Sequence, residues 1–166
     1  MDAPRSENRS LSRGVSLESS EYYPAEIAAV APDSAAARCG LQEGDALLAI
    51  NGYPLRDAID VRIYAAEPTL DLHYRGDGEL HTCCVARTYG EPLGLSFDES
   101  IFDGTLRICQ NRCDFCFVDQ MAPDLRDALY VKDDDYRLSF LQGSYITLTN
   151  LTEADWARIE AQFLSP

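Results

Sequence analysis

Histidine is nearly absent from this chain: His73 and His81 are the only two in 166 residues. Zinc sites ordinarily combine four Cys or His ligands in paired clusters, so any such site here must draw mainly on cysteine. Basic residues are scarce as well, with 14 Lys and Arg against 28 Asp and Glu, a formal charge of −14. The deficit runs through the chain: residues 21–90 carry 11 acidic against 5 basic side chains, and residues 91–166 carry 14 against 6. Phosphate backbones are bound by clustered Lys and Arg, so a nucleic-acid partner is excluded. No apolar run approaches the roughly 20 residues of a membrane span, and a membrane partner is excluded too. Nor does any segment read as a signal peptide, so a disulfide scaffold is not expected. The expected setting is cytoplasmic, with thiols kept reduced and open to a metal.

What the chain does have is six cysteines and 46% hydrophobic residues, the latter ordinary for a globular protein. Three of the cysteines stand together in CQNRCDFC, Cys109 to Cys116, at C-x3-C-x2-C spacing. Phe115 directly precedes the last of them, Asn111 and Arg112 fill the loop, and Leu106 and Ile108 lead in. Three thiolates this close in sequence converge only if the chain curls around one point. A short loop can hold three corners of an iron–sulfur cube in this way, leaving the fourth iron open to a substrate or cofactor. Zinc completed by His73, His81, Cys39, Cys83 or Cys84 is the alternative on donor types alone. Cys39, Cys83 and Cys84 read as core or surface thiols, the last two facing opposite ways on a strand.

Residues 1–21 are polar and rich in Ser and Arg, and Asp2, Glu7 and Glu18 argue against a transit peptide; a disordered leader is expected. Residues 22–88 read as one small module of alternating strands and helices. Glu26–Val30 and Ala46–Ile50 are strand-like, and Asn51–Gly52 marks a turn. A short helix over AAARC stops at Gly40, and Asp57–Ala66 has helical apolar spacing. Thr69–Tyr74 and Leu80–Ala86 alternate around the turn Gly76–Asp77–Gly78. Residues 89–104 hold Pro92, three glycines and four acids, and read as a connection with a short strand at Leu95–Phe97. Beyond it, strands are expected at Thr105–Ile108 and Tyr145–Leu148, a helix at Asp124–Leu129, and a solvated acidic loop at Asp133–Asp135. Thr152 is placed to cap a helix through Phe163, with Asp155 three residues on and Trp156, Ile159 and Phe163 on its core face.

Two stretches carry a family resemblance. AxIAAVxPDSAAARCGLQEGDALLAING resembles bacterial PDZ domains, notably at Gly40–Leu41, Gly44–Asp45 and Asn51–Gly52. PDZ domains commonly add an extended peptide as a strand beside their second helix, which implies a peptide or protein partner. A glycine-rich carboxylate loop is missing before the first matched strand, where YYPAEI stands; a purely structural role is the competing reading. The cysteine loop resembles the C-x3-C-x-aromatic-C motif of the radical S-adenosylmethionine (radical-SAM) superfamily. With the text that follows it, FCFVDQMAPDLRDALYVKDDDYRLSFLQGSYITLTNL, it resembles an uncharacterised family of PDZ-bearing radical-SAM iron–sulfur proteins.

That resemblance implies an α/β (α+β) chain in four parts: the leader 1–21, a PDZ-like domain 22–88, a linker 89–104, and residues 105–166 as the first βα units of a truncated radical-SAM (β/α) barrel. It implies an oxidoreductase in which Cys109, Cys113 and Cys116 hold a 4Fe–4S cluster and S-adenosylmethionine binds the open iron. One electron then cleaves the sulfonium, and a deoxyadenosyl radical abstracts hydrogen from a substrate chosen by parts of the family that lie beyond Pro166. Phe115 would lie near the adenine. Many members grip the methionine amine with a Gly-Gly-Glu run; here ITLTN stands in its place, leaving Thr147, Thr149 and Asn150 as the candidate contacts. The chain is expected to be a fragment, inactive alone. A PDZ-type interaction module with a non-catalytic appendage and a zinc-stabilised structural protein remain the two other classes.

Overall fold

Alternation of apolar and polar side chains decides where the first half of the chain becomes sheet. The computed structural model describes residues 22–164, so the leader expected over 1–21 lies outside the described residues. Strands β1 (Ala25–Val30), β2 (Ala46–Ile50), β4 (Thr69–Gly76), β5 (Glu79–Ala86) and β6 (Leu95–Phe97) form one sheet in the order β5-β4-β2-β1-β6, and β3 (Tyr53–Pro54) pairs with β2. Every pairing is antiparallel. On β4, Leu70, Leu72 and Tyr74 turn inward at the two-residue period of a strand. The central strand β2 buries Leu47, Leu48, Ala49 and Ile50 together, because it has neighbours on both sides.

The turns follow from residues that tolerate a left-handed backbone. Asn51 and Gly52, at φ 54° and 78°, join β2 to β3, and Asp77 and Gly78, at φ 51° and 80°, join β4 to β5. Helix α1 (Ala35–Arg38) is capped by Ser34, whose hydroxyl accepts the Ala37 amide at 3.2 Å. Its alanines Ala35 and Ala36 are fully buried, small enough to bring the Ala36 amide within 3.0 Å of the Leu93 carbonyl. Asp57 caps helix α2 (Ala58–Tyr64), accepting from the amides of Ile59 and Asp60.

Two expectations for this half change. Cys39, at the end of α1, is joined by a disulfide to Cys83 of β5, with 5.6 Å between their Cα atoms. The two residues are 44 apart in sequence, and only the tertiary fold brings α1 onto β5, so no local spacing signals the pair. The stretch 89–104 is also more than a connection. Its short strand β6 forms the edge of the sheet against β1, and Leu93 enters the core. Gly94 sits at φ +83°, where an added Cβ would come within 2.2 Å of the Ser34 Cβ, so only glycine fits.

The second half contains little regular structure: a 3-10 turn over Asp127–Tyr130, helix α3 (Tyr136–Gln142) and helix α4 (Glu153–Ala161). The strands expected at Thr105–Ile108 and Tyr145–Leu148 do not form. Strands need a ladder of neighbours, and these segments satisfy their backbone otherwise. The first makes a single antiparallel bridge, Ile108 to Asp133, with the Cys109 amide on the Lys132 carbonyl and the Asp134 amide on the Arg107 carbonyl. In the second, the Thr147 amide is taken by the Asp134 carboxylate at 2.6 Å. The helix expected at Asp124–Leu129 is reduced to the 3-10 turn, shifted by a few residues.

Charge, not apolar surface, joins the two halves. Thr152 and Asp155 form the expected capping box of α4, but the buried face of this helix is Asp155 and Arg158. Trp156 is 45% and Phe163 90% exposed, contrary to the core face expected of them. The neighbouring stripe of the helix wins because α2 offers two buried carboxylates. Arg158 donates to Asp57 at 2.7 and 2.8 Å, to Asp60 at 3.1 Å and to the Tyr136 hydroxyl at 3.0 Å. Gln162 adds a bond to Asp60 at 2.8 Å. Asp155, Arg158 and Gln162 recur at helical spacing, so one face makes all these contacts.

Candidate metal centre

The cysteine loop leaves the Ile108–Asp133 bridge and turns back on itself. Cys109 is anchored by its amide, which donates to the Lys132 carbonyl at 2.8 Å. Cys113 and Cys116 close a tight turn, with the Cys116 amide on the Cys113 carbonyl at 3.1 Å. All three are free thiols; Cys113 is exposed and the other two half-buried. They line one cavity of about 630 Å³ together with Phe115, Lys132 and Tyr145.

Among the described residues, no three His, Cys, Asp or Glu side chains converge on a single-ion site. The donors that could have completed a zinc site are elsewhere. His73 and His81 lie on β4 and β5, where His81 bonds the Gly76 carbonyl and stacks on Tyr74. Cys39 and Cys83 are bonded to each other, and Cys84 is exposed on β5. A cube of iron and sulfur offers its irons at separate corners, so its thiolates stand farther apart than the ligands of one ion. Three free thiols lining one cavity are the donor type that such a group takes.

The opposite wall is built by a polar network around Asp134. This residue is 2% exposed, and Asp135 1%, so the acidic run expected to be solvated is largely buried. The Asp134 carboxylate accepts from the Thr147 amide and, at 2.7 Å, from the Thr147 hydroxyl. The hydroxyls of Thr147 and Thr149 are 2.8 Å apart, and Asn111 donates to Thr149 at 2.9 Å and to Thr147 at 3.3 Å. Asn111, between the first two cysteines, thus ties their loop to residues 147–149. Asn150 donates to the Asp134 carbonyl at 3.0 Å, and its own Oδ1 is buried without a partner. Of the residues expected near a cofactor, Phe115 and Thr147 line the cavity; Thr149 and Asn150 stand behind it. Phe115 itself is 80% exposed.

Sequence reasoning missed Asn111, Asp134 and the ion pair of Lys132 with Asp119, at 2.6 Å. One signal was present: Asp135 precedes a helical run and caps α3, accepting from the Arg137 amide, which requires the acidic run to turn inward. Three further ion pairs, on two arginines, hold the loop's base. Arg107 grips Asp155 through both guanidinium nitrogens, at 2.5 Å each, and Arg137 is shared between Asp135 and Asp103. Burial works against the Asp155 carboxylate, but Arg107 and Thr152 outweigh it and hold its pKa down to about 2.

Residues 87–166 match the family model of the Radical SAM-like domain, and residues 26–69 match that of the PDZ domain. Together the two matches make the chain similar to a PDZ domain followed by a Radical SAM-like domain. The Radical SAM-like match takes in the cysteine loop, the Asp134 network and both helices of the second half. It also takes in β6, which the fold places in the sheet beside β1 of the PDZ domain. No helix among the described residues is long and apolar enough to cross a membrane.

Proposed function

We propose that the Radical SAM-like domain holds a 4Fe–4S cluster on Cys109, Cys113 and Cys116 and takes up S-adenosylmethionine beside it, as part of a radical-SAM oxidoreductase. The observation that carries this reading is that three free thiols line one cavity, with Asn111, Thr147 and Asp134 bonded in a network on its wall. Cys109, Cys113 and Cys116 would hold the cluster, which when bound would supply one-electron reduction of the S-adenosylmethionine sulfonium. The chain's own residues position and shield. Phe115 offers a ring face at the cavity mouth for the adenine. Thr147, with Thr149 and Asn150 behind it, replaces the Gly-Gly-Glu run as the grip on the methionine end. Asn111 keeps that grip in register with the cysteines.

Anaerobic reconstitution with iron and sulfide, followed by metal analysis and absorption spectra, tests the ligand set. Brown protein with about four irons per chain, lost in the Cys109→Ala/Cys113→Ala/Cys116→Ala variant, is the expected result. Colourless, folded protein holding one zinc would overturn the reading in favour of a structural site.

A second reading concerns the PDZ domain and rests on β6. This strand is an edge, paired only with β1 among the described residues, and such an edge accepts a further strand. We infer that an extended peptide adds there. Hydrogen exchange during a peptide-library screen should show amides of Leu95–Phe97 gaining protection with a bound peptide; protection confined to other strands would exclude this edge.

A further inference from the structure

The cavity that collects the three thiols has one cationic side chain among its lining residues, Lys132. Arg112, although it lies between Cys109 and Cys113 in sequence, is exposed and does not line the cavity. Lys132 is placed by the backbone rather than by chance: the Ile108–Asp133 bridge sits beside it, and its carbonyl accepts the Cys109 amide at 2.8 Å. Its ammonium meets Asp119, three residues beyond Cys116, at 2.6 Å. One ammonium therefore stands on the wall that carries the three proposed cluster ligands, with the Asp119 carboxylate paired to it. The carboxylates on the cavity wall itself are Asp133 and Asp134, and the latter is engaged by Thr147.

We propose that Lys132 and Asp119 set the reduction potential of the cluster, Lys132 raising it and Asp119 limiting the rise. The inference rests on the cluster reading above and adds to it a role for residues outside the ligand set. Reduction adds one negative charge to a group already carrying thiolates. A fixed ammonium beside those sulfurs favours the reduced state, and a carboxylate opposes it; net charge and hydrogen bonding at the sulfurs are established determinants of such potentials. Both residues are tuning residues: they are paired with each other near the ligands and touch no reacting atom. The half-exposed setting of the pair leaves its influence open to screening by salt.

The test is a potentiometric titration of the reconstituted full chain, followed by EPR, for the wild type, Lys132→Met, Lys132→Arg and Asp119→Asn. The potential should fall in Lys132→Met, stay at the wild-type value in Lys132→Arg and rise in Asp119→Asn. The gap between Lys132→Met and Asp119→Asn should narrow as salt is raised. Opposite-signed shifts from two neighbouring substitutions are not what local loosening of the loop would give. If Lys132→Met does not take up cluster, the sign of the Asp119→Asn shift decides. A cluster whose potential is the same in all four proteins, or moves the same way in Lys132→Met and Asp119→Asn, overturns this inference and leaves the cluster reading standing. A wild-type chain that takes up no iron overturns both.

Discussion

Arg158 brings a guanidinium to a place where a surface helix usually presents a leucine. It is 8% exposed, and the carboxylates it meets, Asp57 and Asp60, are fully buried. Asp60 has a second partner in Arg56, at 2.8 Å, but the other bonds to Asp57 come from backbone amides that cap α2. Replacing Arg158 by Ala would strand the Asp57 charge away from water, and removing one member of a buried pair costs about 3–5 kcal/mol. Urea unfolding should show a loss of that size for Arg158→Ala; a change below about 1 kcal/mol would mean the pair is solvated in solution. Such contacts are invisible in the sequence because Asp57 and Arg158 are 101 positions apart. The cysteines were legible for the opposite reason: their partners lie within one loop. Asp134 misled because a run of three aspartates looks solvated, and its hydroxyl and amide partners come from Thr147, 13 residues on.

At the scale of elements, the PDZ half was legible and the Radical SAM-like half only in its helices. β2, β4 and β5 declare themselves by alternation and by Asn-Gly and Asp-Gly turns, which need no distant partner. Thr105–Ile108 and Tyr145–Leu148 have the composition of strands but find side-chain acceptors and a single bridge in place of a ladder. Short β6 was expected within a connection, and its place in the sheet depends on Gly94. Gly94→Ala should weaken the attachment of β6 by about 1–3 kcal/mol, since the new methyl must displace Ser34. Thermal unfolding and faster amide exchange at Leu95–Phe97 would report it; unchanged exchange would place β6 elsewhere. Helix α4 makes a pH prediction. Asp155 titrates near 2 when folded, against about 3.9 for a free Asp, so its share of stability is complete above that ordinary value. That share is lost as pH falls from roughly 4 towards 2. Asp60 and Asp135, also held low by arginines against burial, add in the same direction. The urea midpoint should therefore drop steeply below about pH 4, and the drop should be shallower in Asp155→Asn. Equal slopes would contradict the Arg107–Asp155 pairing.

For the molecule as a whole, bases are scarce at a formal charge of −14, and the contact between the two halves uses few of them. The acidic α2 and the Arg-bearing α4 meet where most of the surface would repel. The thiols divide in the same way between the halves: Cys39 and Cys83 are joined in the PDZ domain, and Cys84, Cys109, Cys113 and Cys116 are free. Alkylation of unreduced protein should label four cysteines of the six; six labels would show the PDZ pair to be reduced, as composition alone suggests.

The central claim is that three thiols hold a cube with one open iron. Low-temperature EPR of the dithionite-reduced, anaerobically reconstituted chain, recorded with and without S-adenosylmethionine, addresses it most directly. A cubane signal that changes shape when S-adenosylmethionine is added, and is missing from the Cys109, Cys113 and Cys116 triple alanine variant, is the expected result. A cubane signal indifferent to S-adenosylmethionine would mean that the fourth iron is closed, contradicting the assignment of the cavity as the cofactor's seat.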